Sequence, residues 1–170
     1  MANLSLIVAV DQEFGFGKDG KIPWHCPEDL KYFKDVTHDS VVIMGRNTYE
    51  DMTSYFKGKT TLLPGRTCIV VTSKGLSSPY QNVTTTNSLE LAIAMAEEMT
   101  TGNVFLIGGE SIYKEGIKYV NTLYITIMPD TYHCDRFFPK EELSRFTRNT
   151  EIVSLKTENL RFVTFKRITE

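Results

Sequence analysis

Asp29 is the carboxylate in this chain whose surroundings could tune it for chemistry. It follows Pro27 and Glu28 at the start of a predicted helix, a place where the helix dipole alone favours acidic residues. Its neighbours argue for more. Phe33 lies four residues on, along the same helical face, and Trp24 and Leu30 are close in sequence. A carboxylate among such groups is partly desolvated, which favours its neutral form and raises its pKa. That is the setting of a tuned acid or of a buried recognition carboxylate.

Two further segments could hold a polyanion. Val41-Val42-Ile43-Met44 runs into Gly45-Arg46-Asn47-Thr48, and Val104-Phe105-Leu106-Ile107 runs into Gly108-Gly109-Glu110-Ser111. Each puts glycine at the carboxyl end of an apolar strand and opens a helix there, the edge where open α/β sheets collect ligands. Free N–H groups at a helix start suit phosphate, and glycine lets the backbone come close. Two junctions in one small domain match a dinucleotide, which has a pyrophosphate and two distant ends. Arg46, and Lys74 after Thr72-Ser73, are cations able to add charge-assisted contacts or to stay solvated at the surface.

A third glycine segment is a decoy. Gly15-Phe16-Gly17-Lys18-Asp19-Gly20 fits G-x-G-x-x-G, and Gly15 to Lys21 reads GxxxxGK. A P-loop needs a hydroxyl next, and Ile22 has none. A dinucleotide fingerprint needs a helix at its third glycine, yet Pro23 biases Ile22 away from helix. The segment reads as a mobile glycine loop. Other chemistries lack parts: there is no GxSxG, and His25-Cys26 and His133-Cys134 do not have zinc-ligand spacing. No metal-ligand set is visible.

These residues need a frame. The 170 residues suit one domain, 1–170, with a core large enough to need no metal or disulfide. Apolar residues are 41% and charged residues 24%, as in ordinary globular chains, and a net charge of −2 advertises neither nucleic acid nor membrane as partner. Cys26, Cys68 and Cys134 are an odd number without CxxC, which points to a reducing compartment. The apolar stretch Leu6 to Val10 is too short to span a bilayer, and no Lys or Arg precedes it as in a signal peptide. The cytoplasm is expected, and the sequons at Asn3 and Asn82 are then chance matches.

Strands are expected over 4–10, 40–44, 68–72, 104–107, 123–128 and 160–168. Several do not alternate, so they belong inside a sheet covered on both faces. Helices are expected over 27–35, 47–52, 88–99 (with Ser88 as N-cap) and 110–119. The expected fold is therefore α/β: a central, mostly parallel twisted sheet with an antiparallel C-terminal edge pair and helices on both faces.

In order, Ile7-Val8-Ala9-Val10, Gly17-Lys18-Asp19-Gly20-Lys21-Ile22-Pro23-Trp24, Pro27-Glu28-Asp29-Leu30 with Phe33, and Val42 through Glu50 are followed by Leu63-Pro64-Gly65-Arg66. Ile107-Gly108-Gly109 with Ile112-Tyr113, Leu123-Tyr124-Ile125-Thr126, and Asp135 before Phe137-Phe138-Pro139 complete the set. This ordered set resembles dihydrofolate reductase over nearly the whole chain. The resemblance implies NADPH-dependent reduction of 7,8-dihydrofolate to tetrahydrofolate, in support of one-carbon and thymidylate metabolism. It implies a monomer, with antifolate inhibitors binding the substrate pocket.

It also assigns roles. Asp29 would bond the amidine-like edge of the pterin and favour a proton at N5, Thr126 would orient Asp29, and Trp24 would hold an ordered water. Phe33, Ile7, Val8, Met52, Leu63, Ile107 and Lys34 would line the substrate, and Arg66 would pair with the α-carboxylate of its glutamate tail. Ala9, Phe16, Gly17, Ile22 and Tyr113 would lie at the nicotinamide, with Ile22 also in the catalytic set and the glycine loop as a lid. Gly45, Arg46, Asn47 and Thr48 would meet phosphate at one junction, and Ile107, Gly108, Gly109, Glu110, Ser111 and Ile112 at the other. Thr72, Ser73, Lys74 and Arg46 would take the 2′-phosphate.

The sequence also departs from the family's pattern. Asp29, rather than Glu, matches bacterial-type members. Glu110 and Ser111 replace a cation, Arg136 stands where Thr is common and Tyr49 where Trp is frequent, and residues 53–62 resemble a variable insertion. Two alternatives remain open at this point: another NADPH-dependent reductase of a pterin-like or pyrimidine ring, which needs no clamp such as Arg66, and a nucleotide-binding protein without turnover.

Overall fold

A computed structural model describes residues 2–169. Ten strands and four helices follow one another as β1 Asn3–Val10, β2 Gly15–Gly17, α1 Pro27–Thr37, β3 Val41–Gly45, α2 Arg46–Thr53, β4 Thr67–Val71 and β5 Val83–Thr86. Then come α3 Leu89–Met99, β6 Asn103–Leu106, α4 Glu110–Gly116, β7 Thr122–Ile127, β8 Arg136–Phe137, β9 Phe146–Val153 and β10 Arg161–Arg167. Eight strands form one sheet in the order β5-β4-β3-β6-β1-β7-β10-β9. Six of them are parallel, and β10 runs antiparallel to both β7 and β9. The expected architecture is the observed one, including the antiparallel pair at the C-terminal edge.

Strict alternation sorts the apolar runs onto two faces. Leu6, Val8, Val10, Val41, Ile43, Val104 and Leu106 pack in one core with Leu89, Ala92 and Ala96 of α3 and Ile112 of α4. Ile7, Val42, Met44, Phe105 and Ile107 pack in the other with Tyr32, Phe33 and Val36 of α1 and Met52 of α2. Runs without polar residues are therefore two-faced strands, as a covered parallel sheet requires. Ser88 caps α3, accepting the Leu91 amide at 3.1 Å. Among the described residues no helix is long and apolar enough to cross a membrane.

Four strands escape the apolar pattern. β5 is the polar edge Val-Thr-Thr-Thr, and β9 is an exposed edge in which only Phe146 is buried. β2 and β8 pair with each other, so the first three residues of the segment expected to be a glycine loop are strand. Gly15–Gly17 is buried strand, and Lys18 and Lys21 bridge the turn beyond it.

Candidate active site

The site lies at the carboxyl edge of the sheet, where β1 and β6 part. Their ladder ends at Leu6↔Leu106. Beyond it Tyr113 of α4 inserts its hydroxyl between the strands, 3.0 Å from the Ile7 carbonyl and 2.9 Å from that of Ile107. Its one proton serves two acceptors that the separated strands can no longer satisfy. Burial pushes the Tyr113 hydroxyl well above its ordinary pKa, so it stays a donor.

On the α1 face, Ile7, Leu63 and Ile107 are buried, and Phe33 and Met52 are half-buried against the same cluster. Five of the residues expected to form an apolar slot thus share one patch. Asp29, half-buried and one turn before Phe33 on α1, lies beside the Thr126 hydroxyl of β7. Burial raises the Asp29 carboxyl above the ordinary carboxylate range, the Thr126 bond pulls it back, and the negative charge of neighbouring Glu28 raises it further. Tyr32, one turn along α1, has its ring 4.4 Å from that of Phe162 on β10. Trp24 and Ala9 pack beside Tyr32, and the Trp24 ring lies 5.2 Å from Tyr132. A hollow of about 410 Å³ follows the outer side of α1 past Leu30 and Lys34.

Arg66 closes the far end of this patch. It is 7% exposed, and its guanidinium donates to the Thr37 hydroxyl at 3.1 Å, to the Lys34 carbonyl at 2.7 Å and to the Pro64 carbonyl. All three acceptors are neutral. Among the described residues no carboxylate forms an ion pair with it, and burial lowers its pKa. A buried cation held only by neutral groups is set to receive an anion.

The two glycine junctions meet. The Gly45 amide donates to the Gly108 carbonyl at 2.8 Å. A Cβ at Gly45 would stand 3.4 Å from Ile112 and 3.8 Å from the Gly109 nitrogen, and one at Gly109 would stand 3.4 Å from the Thr48 hydroxyl. Gly108 has φ +117°, and a Cβ there would press on the Tyr113 ring and hydroxyl at 3.0–3.3 Å, so only glycine suits it. The start of α2 therefore lies against the start of α4. This doubled cradle fits the pyrophosphate of a dinucleotide. Arg46 spans from α2 to the end of β4, reaching the Thr72 hydroxyl at 3.2 Å, with Lys74 and Ser73 exposed beside it. Glu110 turns its carboxylate along the helix to Lys114 at 3.7 Å, which leaves its amide as the group available to phosphate.

Several candidates sit elsewhere than expected. Val8 points to the opposite core, because alternation sends it away from Ile7 and Ala9. Phe16 is buried in that same core, edge-on to Tyr113 with ring centroids 5.2 Å apart, and so supports the tyrosine from behind. Ile22 is 59% exposed, since Pro23 keeps the segment before α1 extended. Lys34 is exposed and contributes its carbonyl to Arg66. Asn47 and Ser111 are exposed at the two helix starts.

Sequence reasoning overlooked Asp11. It is fully buried at the end of β1 and accepts the amides of Glu13 at 2.9 Å, Gly15 at 2.8 Å and Tyr132 at 3.0 Å. Burial would raise its pKa, but these N–H donors together hold it below the ordinary value. It ties the glycine segment to the 130–134 loop. A lone Asp directly after an apolar strand was the available signal. Arg136 makes a second tie: its guanidinium lies over Gly17, where a Cβ would meet it at 2.7 Å, and 5.9 Å from the Phe16 ring.

The family model described as dihydrofolate reductase matches residues 3–167. The chain is 41% identical over 133 residues to dihydrofolate reductase type 9 from Escherichia coli, covering 74% of this chain and 70% of that one. It is 37% identical over 145 residues to dihydrofolate reductase from Bacillus subtilis, covering 84% and 79%. A solved structure of dihydrofolate reductase from Enterococcus faecalis, complexed with NADP(H) and RAB-propyl, superposes with a TM-score of 0.82 at 32% identity over 97% of this chain and 96% of that one. With the family model spanning residues 3–167 and the fold superposing over nearly the whole of both chains, this chain belongs to the dihydrofolate reductase family.

Proposed function

We propose that the Asp29 cleft and the doubled glycine cradle form one active site, in which 7,8-dihydrofolate is reduced to tetrahydrofolate. NADPH supplies the hydride when bound. The observation that carries this assignment is a half-buried carboxylate, beside the Thr126 hydroxyl, on the helix that covers an apolar slot adjoining the gap between β1 and β6.

The two oxygens of Asp29 accept paired N–H donors from the amidine-like edge of the pterin. Its negative charge in a poorly solvated place favours a proton at N5, delivered through water beside Trp24. Ile7, Phe33, Met52, Leu63 and Ile107 exclude solvent from the ring and hold it flat. Arg66 receives the α-carboxylate of the glutamate tail, a role that neither a pyrimidine reductase nor a nucleotide-binding protein without turnover requires. The backbone of Gly45, Thr48 and residues 108–112 holds the pyrophosphate, and Arg46, Thr72, Ser73 and Lys74 take the 2′-phosphate. Tyr113 keeps the Ile7 and Ile107 carbonyls fixed at the mouth of the gap, where Ala9 meets the nicotinamide. Residues 1–170 act as one domain and as a monomer in the cytoplasm, without nucleic acid or membrane, and antifolates compete for the same slot. The free thiols of Cys26, Cys68 and Cys134 agree with a reducing compartment.

The test mixes protein with NADPH and dihydrofolate and follows cofactor absorbance. Asp29→Asn should fold and bind NADPH, but lose about 100-fold or more in rate at pH 7. The loss should shrink in acid, where the medium supplies the proton. A variant as fast as the parent at pH 7 would remove Asp29 from this role.

A further inference from the structure

The first turn of α1 has no side-chain cap of its own, although the Leu30 amide closes it on the Cys26 carbonyl at 3.1 Å. Its N-cap residue, Cys26, makes no side-chain cap bond, and Pro27 follows. The turn is also held by a neighbouring element. The Glu28 carboxylate accepts the Ser154 hydroxyl at 2.7–2.8 Å and the Thr157 hydroxyl at 3.0 Å, both from the connection between β9 and β10. Ser154 Oγ is itself oriented: it accepts the amides of Lys156 at 3.0 Å and Thr157 at 2.9 Å, so its one proton is directed at Glu28. The connection is closed on itself by the Ser154 amide, which donates to the Leu160 carbonyl at 2.9 Å.

Successive residues of one helical turn therefore dock on one supersecondary unit. Glu28 binds the β9–β10 connection, Asp29 lies beside Thr126 on β7, and the Tyr32 ring packs on that of Phe162 of β10. Thr126 and Phe162 are themselves register partners. We infer that Glu28 is a positioning residue: by clamping the α1 turn to Ser154 and Thr157 it fixes where Asp29 meets the pterin. This rests on the assignment of Asp29 above. The clamp has an electrostatic side as well. The neighbouring charge that acts on Asp29 is that of Glu28, and the charge of Asp29 in turn acts on Tyr32 of α1 and Tyr113 of α4. Burial pushes Tyr32 up to about 12 and raises Tyr113 too, so both stay neutral at working pH and leave Glu28 as the neighbouring charge.

Glu28→Gln keeps the shape but removes the charge and one acceptor. Its amide oxygen in the place of Oε1 can still take both hydroxyls, but the amide nitrogen in the place of Oε2 then faces Ser154 Oγ, whose lone pairs already serve two N–H groups. In steady-state kinetics it should lower kcat/KM for dihydrofolate about tenfold, leave NADPH affinity unchanged, and move the pH midpoint of the rate downward. Ser154→Ala keeps the charge, so it should raise the dihydrofolate KM without lowering that midpoint. Together the two substitutions should cost less than the product of their separate effects. Parental KM and midpoint in Glu28→Gln would overturn the inference, as would NADPH and dihydrofolate affinities falling together with the melting temperature. Asp29→Asn separates the two readings. If it is inactive while Glu28→Gln is parental, only the clamp is wrong; if it is fully active, the assignment of Asp29 itself is wrong.

Discussion

Arg66 shows how much a single side chain can state about a ligand. Its guanidinium is buried, yet every acceptor it reaches within the fold is a carbonyl or a hydroxyl. An unpaired buried cation costs stability, and an arriving carboxylate offsets that cost. Arg66→Ala should therefore raise the KM for dihydrofolate about 10- to 100-fold, the worth of one charged hydrogen-bonded contact, while NADPH binding stays near parental. Arg66→Lys should recover little, because an ammonium cannot reproduce the planar fork that holds Lys34 and Thr37 in place. Equal losses for both ligands would mean that the guanidinium serves only to hold the α1 end to the 63–66 turn. The type of Arg66 and its place after Leu63-Pro64-Gly65 were legible in the sequence. Its lack of a close ion-pair partner was not, because that depends on Asp35 turning to Lys31 and Asp39 to His38, so that both act on Arg66 only from a distance.

At the scale of elements, the cradle depends on two helix starts touching. That contact follows from β3 and β6 being sheet neighbours in register, Val41 beside Val104 and Ile43 beside Leu106. Glycine junctions at the same level of adjacent strands must then meet. Gly45→Ala puts a methyl 3.4 Å from Ile112 in the space that a phosphate would approach, and Gly45 has negative φ, so the backbone tolerates alanine. The expected result is about a tenfold or greater loss of NADPH affinity by fluorescence titration, with dihydrofolate binding and melting temperature little changed. Unchanged NADPH affinity would place the pyrophosphate elsewhere. Both junctions were readable as motifs, because apolar run, glycine and helix are local features. Their contact was not, since strand order is a non-local property. The same divide explains β9 and β5. Thr147 through Glu151 carry no apolar alternation, and their pairing is imposed by β10 rather than by their own composition.

For the whole molecule, function and stability pull in opposite directions on two aspartates. The lone Asp11 after an apolar strand was visible, but its role was not, because its partners Tyr132 and Cys134 lie more than 100 residues away. Its carboxyl is held low, so it stabilises the fold above its unfolded pKa, and that contribution is lost as pH falls through the lower folded value. Asp29 has the reverse sign. Burial holds its carboxyl high, so the native state keeps a proton that the unfolded chain releases. Stability from Asp29 is complete below the unfolded pKa and disappears as pH rises through the folded one. At neutral pH the charged form is a net cost, tolerated because the site needs a carboxylate there. Asp29→Asn removes the titration but can still accept the Thr126 hydroxyl through its amide oxygen. It should melt about 2–4 °C higher than the parent at pH 7.5, with the difference shrinking toward pH 4, while losing activity. A lower melting temperature at pH 7.5 would make the Asp29 carboxylate a stabilising group and not a cost of its burial.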